Sequence, residues 1–117
     1  ELNIPVFQKF YDLYRLLYKY MKLFPKKDRY SLGQKIDNFS LDTFEFIILA
    51  STNEREKKLP FIEKAIVRLD ILKILIRLAK DINAIESKKY LELESILQEI
   101  GRMLGGWKKS LLSPKQY

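Results

Sequence analysis

Apolar residues recur every three or four positions through most of the chain, a spacing that places them on one face of an α-helix. The pattern predicts four helices, at about residues 5–24, 27–50, 54–82 and 88–110. Pro25 ends the first segment, and the polar run Ser51-Thr52-Asn53 interrupts the pattern before the third. Short connections between long helices predict one all-α domain over residues 1–117, an antiparallel up-down-up-down four-helix bundle with a frayed tail at 111–117.

The first segment carries two apolar rows that we expect to face the core. They are Phe7, Phe10, Tyr14, Leu17, Met21 and Phe24, and beside them Leu13, Leu16, Tyr20 and Leu23. The third segment has a core row of its own, made of Ile62, Ile66, Leu69, Leu72, Ile76 and Ala79.

The third segment is also apolar outside its core row. These additional positions are Val67, Ile71, Ile74, Leu75 and Leu78. A helix that is apolar nearly all round is buried nearly all round. Because a lone bundle of 117 residues cannot readily bury both sides of one helix, the pattern predicts self-association, without fixing a copy number.

Three glycines interrupt the fourth segment. Gly101 and Gly105 are four residues apart, so they share a helix face on which another backbone can approach closely. Together with Gly106 and Trp107, they predict close helix packing, within or between subunits. The alternative is that Gly105-Gly106 ends or kinks the helix before Trp107.

Composition argues against catalysis. The chain has no cysteine and no histidine, which removes thiolate ligands, disulfides, thiol nucleophiles and the commonest general base and metal ligand. The densest carboxylates, Glu92, Glu94 and Glu99, fit a solvated helix face. We therefore expect no enzyme activity, catalytic residue, metal, cofactor or small-molecule substrate. No run of about 18 apolar residues predicts a membrane span, and we expect a soluble, cytoplasmic protein.

The net charge of +7 is concentrated at the two ends of the sequence. Residues 1–35 carry eight Lys or Arg against three Asp or Glu, and residues 101–117 carry four against none. Two sets of candidate nucleic-acid or partner contacts follow. The corner set is Arg15, Lys19, Lys22, Lys26, Lys27, Arg29 and Lys35, and the C-terminal set is Arg102, Lys108 and Lys109.

Arg15, Lys19, Lys22 and Lys26 are spaced four, three and four residues apart, which predicts one stripe along the first helix. In an antiparallel bundle the first and fourth helices are neighbours, so both sets are expected along them. Such a stripe suits phosphate contacts. The alternative is a solvated face that confers solubility, and for Arg29 and Arg102 a structural salt bridge.

Tyrosines lie among the first set of cations, where they can stack on bases. They are Tyr11, Tyr14, Tyr18, Tyr20 and Tyr30. The alternative is that most are core or interface residues with hydroxyl groups at the rim.

Two stretches resemble a known family. One is Phe24-Pro25-Lys26-Lys27-Asp28-Arg29-Tyr30-Ser31-Leu32-Gly33, continuing to Ile36. The other is Glu99-Ile100-Gly101-Arg102-Met103-Leu104-Gly105-Gly106-Trp107, preceded by Arg77-Leu78-Ala79 and Tyr90. Together they resemble the accessory variability determinant (Avd) proteins of diversity-generating retroelements, a group similar to the four-helix-bundle proteins of intervening sequences in 23S ribosomal RNA genes.

The resemblance implies a pentameric barrel of four-helix bundles with a basic surface. It also implies association with a retroelement reverse transcriptase and its template RNA, and with cDNA through phosphates, in support of mutagenic reverse transcription. The polymerase, not the accessory protein, would carry the chemistry. The alternatives are an intervening-sequence-type bundle protein and a purely structural oligomeric module. The sequence assigns no RNA preference and no polymerase-binding surface.

Overall fold

The computed structural model describes residues 4–113, which form five helices. They are α1 (Ile4–Met21), α2 (Lys26–Arg29), α3 (Leu32–Thr52), α4 (Arg55–Asp81) and α5 (Ser87–Leu112). The four long helices pack against each other, which confirms the all-α bundle. Within the described range the chain has no strand.

Each long helix has two neighbours, and their contacts are antiparallel. α3 packs on α1 and α4, and α5 packs on α4 and α1. Tyr20, near the end of α1, donates a hydrogen bond to Glu92 in the second turn of α5. Lys108, near the end of α5, pairs with Glu63 near the start of α4. The bundle is therefore elongated, measuring 55 × 22 × 19 Å.

The first helix ends three residues earlier than predicted, at Met21. The amides of Leu23 and Phe24 donate to carbonyl groups three residues back, at 3.0 and 3.2 Å, so the last turn is tightened before Pro25. Phe24 is buried, as its core row predicted. Leu23 is 63% exposed, so its expected place in a core row is wrong.

The second predicted helix, 27–50, is divided in two. The single-turn helix α2 ends at Arg29, and α3 begins at Leu32 after the turn at Tyr30 and Ser31. α3 then runs two residues beyond the predicted end. The division matters for the site, because it places the Asp28 carbonyl group of α2 beside Gly33 in the first turn of α3.

The connection between α4 and α5 contains Asn83 in the left-handed region, at φ 63°. The amide of Ala84 donates to the carbonyl of Ala79 at 2.8 Å, and that of Asn83 donates to Lys80 at 3.0 Å. This Schellman arrangement satisfies the last carbonyl groups of α4 and suits asparagine. α5 continues to Leu112, so residues 111 and 112 are helical instead of frayed; residues 114–117 of the predicted tail lie outside the described residues.

The core runs the length of the bundle and follows the predicted rows closely. Five of the six core positions predicted for α4 are buried, and Ile66 is half-buried. Three small polar residues also lie in the core, on α3. The hydroxyl groups of Ser40, Thr43 and Ser51 donate to carbonyl groups four residues back, at 2.7, 2.6 and 2.9 Å, so each hydroxyl hydrogen has an acceptor within α3.

Two leucines on α5 test this packing directly. Leu93 is fully buried and Leu91 is 62% exposed. Leu93→Ala is expected to lower the free energy of unfolding by about 2–5 kcal/mol, because it leaves a cavity. Leu91→Ala, the matched control, is expected to change it by less than about 0.5 kcal/mol. Urea denaturation measures both; equal effects of the two substitutions would show that α5 is rotated relative to this structure.

Candidate nucleic-acid interface

The corner between α1 and α3 is closed by contact between an aromatic ring and a glycine. Phe24 is 2% exposed and packs against Gly33 in the first turn of α3. A Cβ added at Gly33 would lie 3.3 Å from the Asp28 carbonyl oxygen and 3.5 Å from Cδ2 of Phe24. Glycine therefore permits α2 and Phe24 to lie close to the start of α3, which brings three chain segments together.

Every cation of the corner set is exposed at or near this corner. None of them forms an ion pair with any residue in the range 4–113. They are Arg15 and Lys19 on α1, Lys22 in the turn, Lys26, Lys27 and Arg29 on α2, and Lys35 on α3.

Arg29 has a structural role at this corner, although not the salt bridge considered from the sequence. Its Nη2 donates to the carbonyl groups of Lys22 at 3.1 Å and Phe24 at 3.3 Å. These bonds orient the guanidinium group at the end of α1. Since a guanidinium has five N–H donors, others are left to bind an anion.

The tyrosines divide into two groups. Tyr18 and Tyr30 are 51% and 71% exposed, and the Lys22 ammonium lies 4.6 Å from the Tyr18 ring centroid. Tyr14 and Tyr20 instead link helices, because the Tyr14 hydroxyl donates to Asp37 on α3 at 2.7 Å and that of Tyr20 donates to Glu92. Tyr18 and Tyr30 are therefore the rings available for stacking beside the cations.

Tyr11 is also exposed but lies away from the corner, with its ring against Phe7 and Phe44. Sequence reasoning missed Asp37, which lies beside the exposed rings and is held by Tyr14. A single carboxylate such as Asp37 is not part of any sequence motif. Whether it lies near the tyrosines of α1 depends on the register of α1 against α3, which hydrophobic spacing alone does not define.

The C-terminal set has different surroundings. Arg102 contacts Glu99 through two nitrogen atoms, at 2.8 and 3.2 Å, and Lys108 pairs with Glu63 at 3.5 Å. Lys109 is exposed. Arg102 is ten residues from Glu92, or about 15 Å along the helix. α1 and α5 are neighbours, and the two sets lie toward opposite ends of the bundle, as the antiparallel arrangement requires.

The outer row, which we define as Val67, Ile71, Ile74 and Leu78, lies on the side of α4 away from the core. Val67, Ile74 and Leu78 are 57%, 66% and 45% exposed, and Ile71 is half-buried. Leu75 instead packs against the core. One protomer therefore leaves this apolar row largely open to solvent.

The glycines of α5 differ from one another. A Cβ at Gly101 would lie 3.0 Å from Nζ of Lys73 and 3.8 Å from Leu69 of α4. No atom of residues 4–113 lies within 4 Å of a Cβ added at Gly105 or Gly106, so neither permits close packing within the protomer. Nor do they end the helix, which continues to Leu112, and Trp107 packs against the core.

Residues 4–113 contain no group of carboxylates placed to hold a metal ion. None of the helices they form is both long and apolar enough to cross a bilayer.

The fold and the corner define a four-helix-bundle protein with unpaired cations at one end. The chain matches a family model described as bAvd-like over residues 5–111, and it belongs to this family. The family is of an accessory, non-catalytic type. No curated protein matches the chain.

The Tyr14–Asp37 hydrogen bond can be tested as a link between α1 and α3. Burial, and then the bond to Asp37, raises the pKa of Tyr14 to about 12 from 10.0. We expect a double-mutant cycle of Tyr14→Phe and Asp37→Ala to give a coupling energy of about 1 kcal/mol by urea denaturation.

Tyr14 carries its proton more firmly in the folded state than in the unfolded chain. The stabilisation is therefore present in full below pH 10, and is lost as the pH rises toward about 12. Tyr14→Phe should remove this part of the alkaline loss of stability. Additive single substitutions would show that the bond does not link the helices.

Proposed function

We propose that this protein is an Avd-type accessory factor that binds a retroelement reverse transcriptase and its template RNA, and through phosphates also cDNA, in support of mutagenic reverse transcription. Membership of the bAvd-like family supports the accessory role. The observation that carries RNA binding is the corner set, seven exposed cations without a carboxylate partner in the range 4–113.

Cations of this kind suit the phosphate backbone. A Lys or Arg that neutralises a phosphate releases condensed counterions, so binding is strong at low salt and weakens as salt rises. A carboxylate beside a cation repels the same phosphate and reduces this gain. We therefore assign the main RNA contacts to the corner set and a secondary part to Arg102, Lys108 and Lys109.

Self-association is the second part of the proposal. The outer row follows the four, three, four spacing of a coiled-coil seam. Burying apolar side chains between subunits contributes roughly 25 cal/mol per Å². We propose a homo-oligomer that buries this row, with the pentamer that the family resemblance implies. Gly101, Gly105, Gly106 and Trp107 remain candidate contacts.

An oligomer would present one corner on each subunit. Several weak phosphate sites on one particle increase the apparent affinity for a long RNA, provided that the spacing allows them to bind together. Self-association would therefore increase the affinity for a long RNA without adding any new contact between one subunit and the RNA.

Matched charge variants test the RNA contacts. The corner variant is Lys19→Gln/Lys26→Gln/Lys27→Gln, and the control, with the same change of charge, is Arg102→Gln/Lys108→Gln/Lys109→Gln. The corner variant is expected to bind a structured RNA at least about tenfold more weakly at low salt, with the slope of log K against log salt reduced by about 2. Fluorescence anisotropy over a salt series measures both quantities.

The control should lose less affinity than the corner variant. An equal loss in both variants would mean that RNA responds to total charge, and a larger loss in the control would move the interface to α5. Undetectable binding of the unsubstituted protein at low salt would favour the purely structural module.

Light scattering tests the outer row. The unsubstituted protein is expected to have a solution mass near a small multiple of 14.0 kDa, and five copies would agree with the resemblance. Val67→Lys/Ile74→Lys should give monomers with an unchanged helical circular-dichroism spectrum, because both side chains are exposed in the protomer. Leu23→Lys, at an exposed leucine outside the row, is the control and should keep the full mass. If Val67→Lys/Ile74→Lys kept the full mass of the oligomer, the interface would lie outside the outer row.

A further inference from the structure

A pocket of about 200 Å³ lies at the corner, between the end of α1 and the start of α3. The rings of Tyr18 and Tyr30 line it, together with Met21 and the backbone at Gly33. Sites for drug-sized ligands measure roughly 300–1,000 Å³. This pocket is smaller and largely apolar, so it suits a single flat ring system.

Two cations, Lys22 and Arg29, line the pocket beside these aromatic residues. The Lys22 ammonium lies over the Tyr18 ring, and two carbonyl groups fix the Arg29 guanidinium. A ligand with a flat ring and an attached anion fits both features. Among common biological groups, that combination is a nucleotide, whose base stacks on aromatic rings and whose phosphate binds cations.

The polar groups of the pocket indicate which base it takes. Asp37 and Gln34 of α3 line it, and Tyr14 donates to one carboxylate oxygen of Asp37 at 2.7 Å. An ionised carboxylate only accepts hydrogen bonds, so Asp37 can accept from donors of a ligand as well as from Tyr14. Guanine presents two adjacent donors, N1–H and the N2 amino group, on its Watson–Crick edge. Adenine and cytosine present one amino group there, and uracil one imino group.

We propose that this pocket binds an unpaired guanine nucleotide of RNA. The base stacks on Tyr18 and Tyr30, its N1 and N2 donors face Asp37, and its phosphate contacts Lys22 and Arg29. Unpaired bases are the usual targets of sequence-selective RNA recognition, since their edges and faces are both free. The inference rests on the proposed RNA binding, and adds a base preference to otherwise sequence-independent contacts.

Short RNAs that differ at one position test the base preference. The probes are labelled uridine-rich RNAs of about 12 nucleotides, within the length that one stacking domain covers. Their central residue is G, A, C or U, and fluorescence anisotropy gives the affinities. The G probe is expected to bind roughly five- to tenfold more tightly than the U probe.

Two substitutions assign the preference to the pocket. Tyr30→Ala removes an exposed ring and should reduce binding of the G probe to the level of the U probe. Tyr11→Ala, at an exposed tyrosine outside the pocket, is the matched control and should leave the G preference intact. Asp37→Asn keeps an oxygen to accept from Tyr14, and should abolish the preference for G over A while stacking persists.

The outcomes separate this inference from the proposed function. Salt-sensitive binding with equal affinity for all four probes would overturn the guanine pocket and leave RNA binding in place. The absence of binding to any probe or to structured RNA would overturn both. Competition by free GMP as effective as competition by unlabelled G probe would identify a free nucleotide as the ligand and overturn the RNA assignment.

Discussion

The close contact between Phe24 and Gly33 determines the geometry of the candidate site. Without a Cβ at Gly33, the start of α3 approaches the Asp28 carbonyl group and the buried Phe24 ring. The chain therefore reverses within one turn of helix, and Arg29 secures that turn by donating to two carbonyl groups at the end of α1. Cations from three segments meet at one end of the bundle as a consequence.

None of the ion pairs that the structure describes involves the corner set. All six described ion pairs are formed by residues between Glu54 and Lys108. Residues 1–35 carry eight Lys or Arg against three Asp or Glu. Asp37 accepts from Tyr14 instead of pairing with a cation. The excess of cations in residues 1–35 is thus seen at the corner as cations without an ion-pair partner in the range 4–113.

Hydrophobic spacing predicted most of the fold, because burial and helical period determine it together. Leu69, Leu72 and Ile76 are buried on α4, as their row predicted. One error is Leu23, which was expected in the core but is exposed, although Phe24 beside it is buried. The other is the single predicted helix over residues 27–50, which a turn at Tyr30 and Ser31 divides through a local hydrogen bond from Ser31 to Asp28.

The site was only partly predictable. The charge pattern and the resemblance indicated the corner set, since both are properties of neighbouring residues in the sequence. The pocket depends on contacts between separate helices, and Asp37 and Gln34 carry no local signal. The roles of Gly105 and Gly106 could not be predicted either, because glycine spacing does not distinguish packing within one chain from contact with another chain.

Lysine footprinting tests most directly whether the corner is the surface that RNA covers. The protein is acetylated briefly with and without a structured RNA at low salt, and mass spectrometry quantifies modification at each lysine. The account predicts strong protection of Lys19, Lys22, Lys26 and Lys27, weaker protection of Lys109, and little change at Lys57 near the other end of the bundle. Protection of Lys109 with unchanged modification at the corner would contradict it.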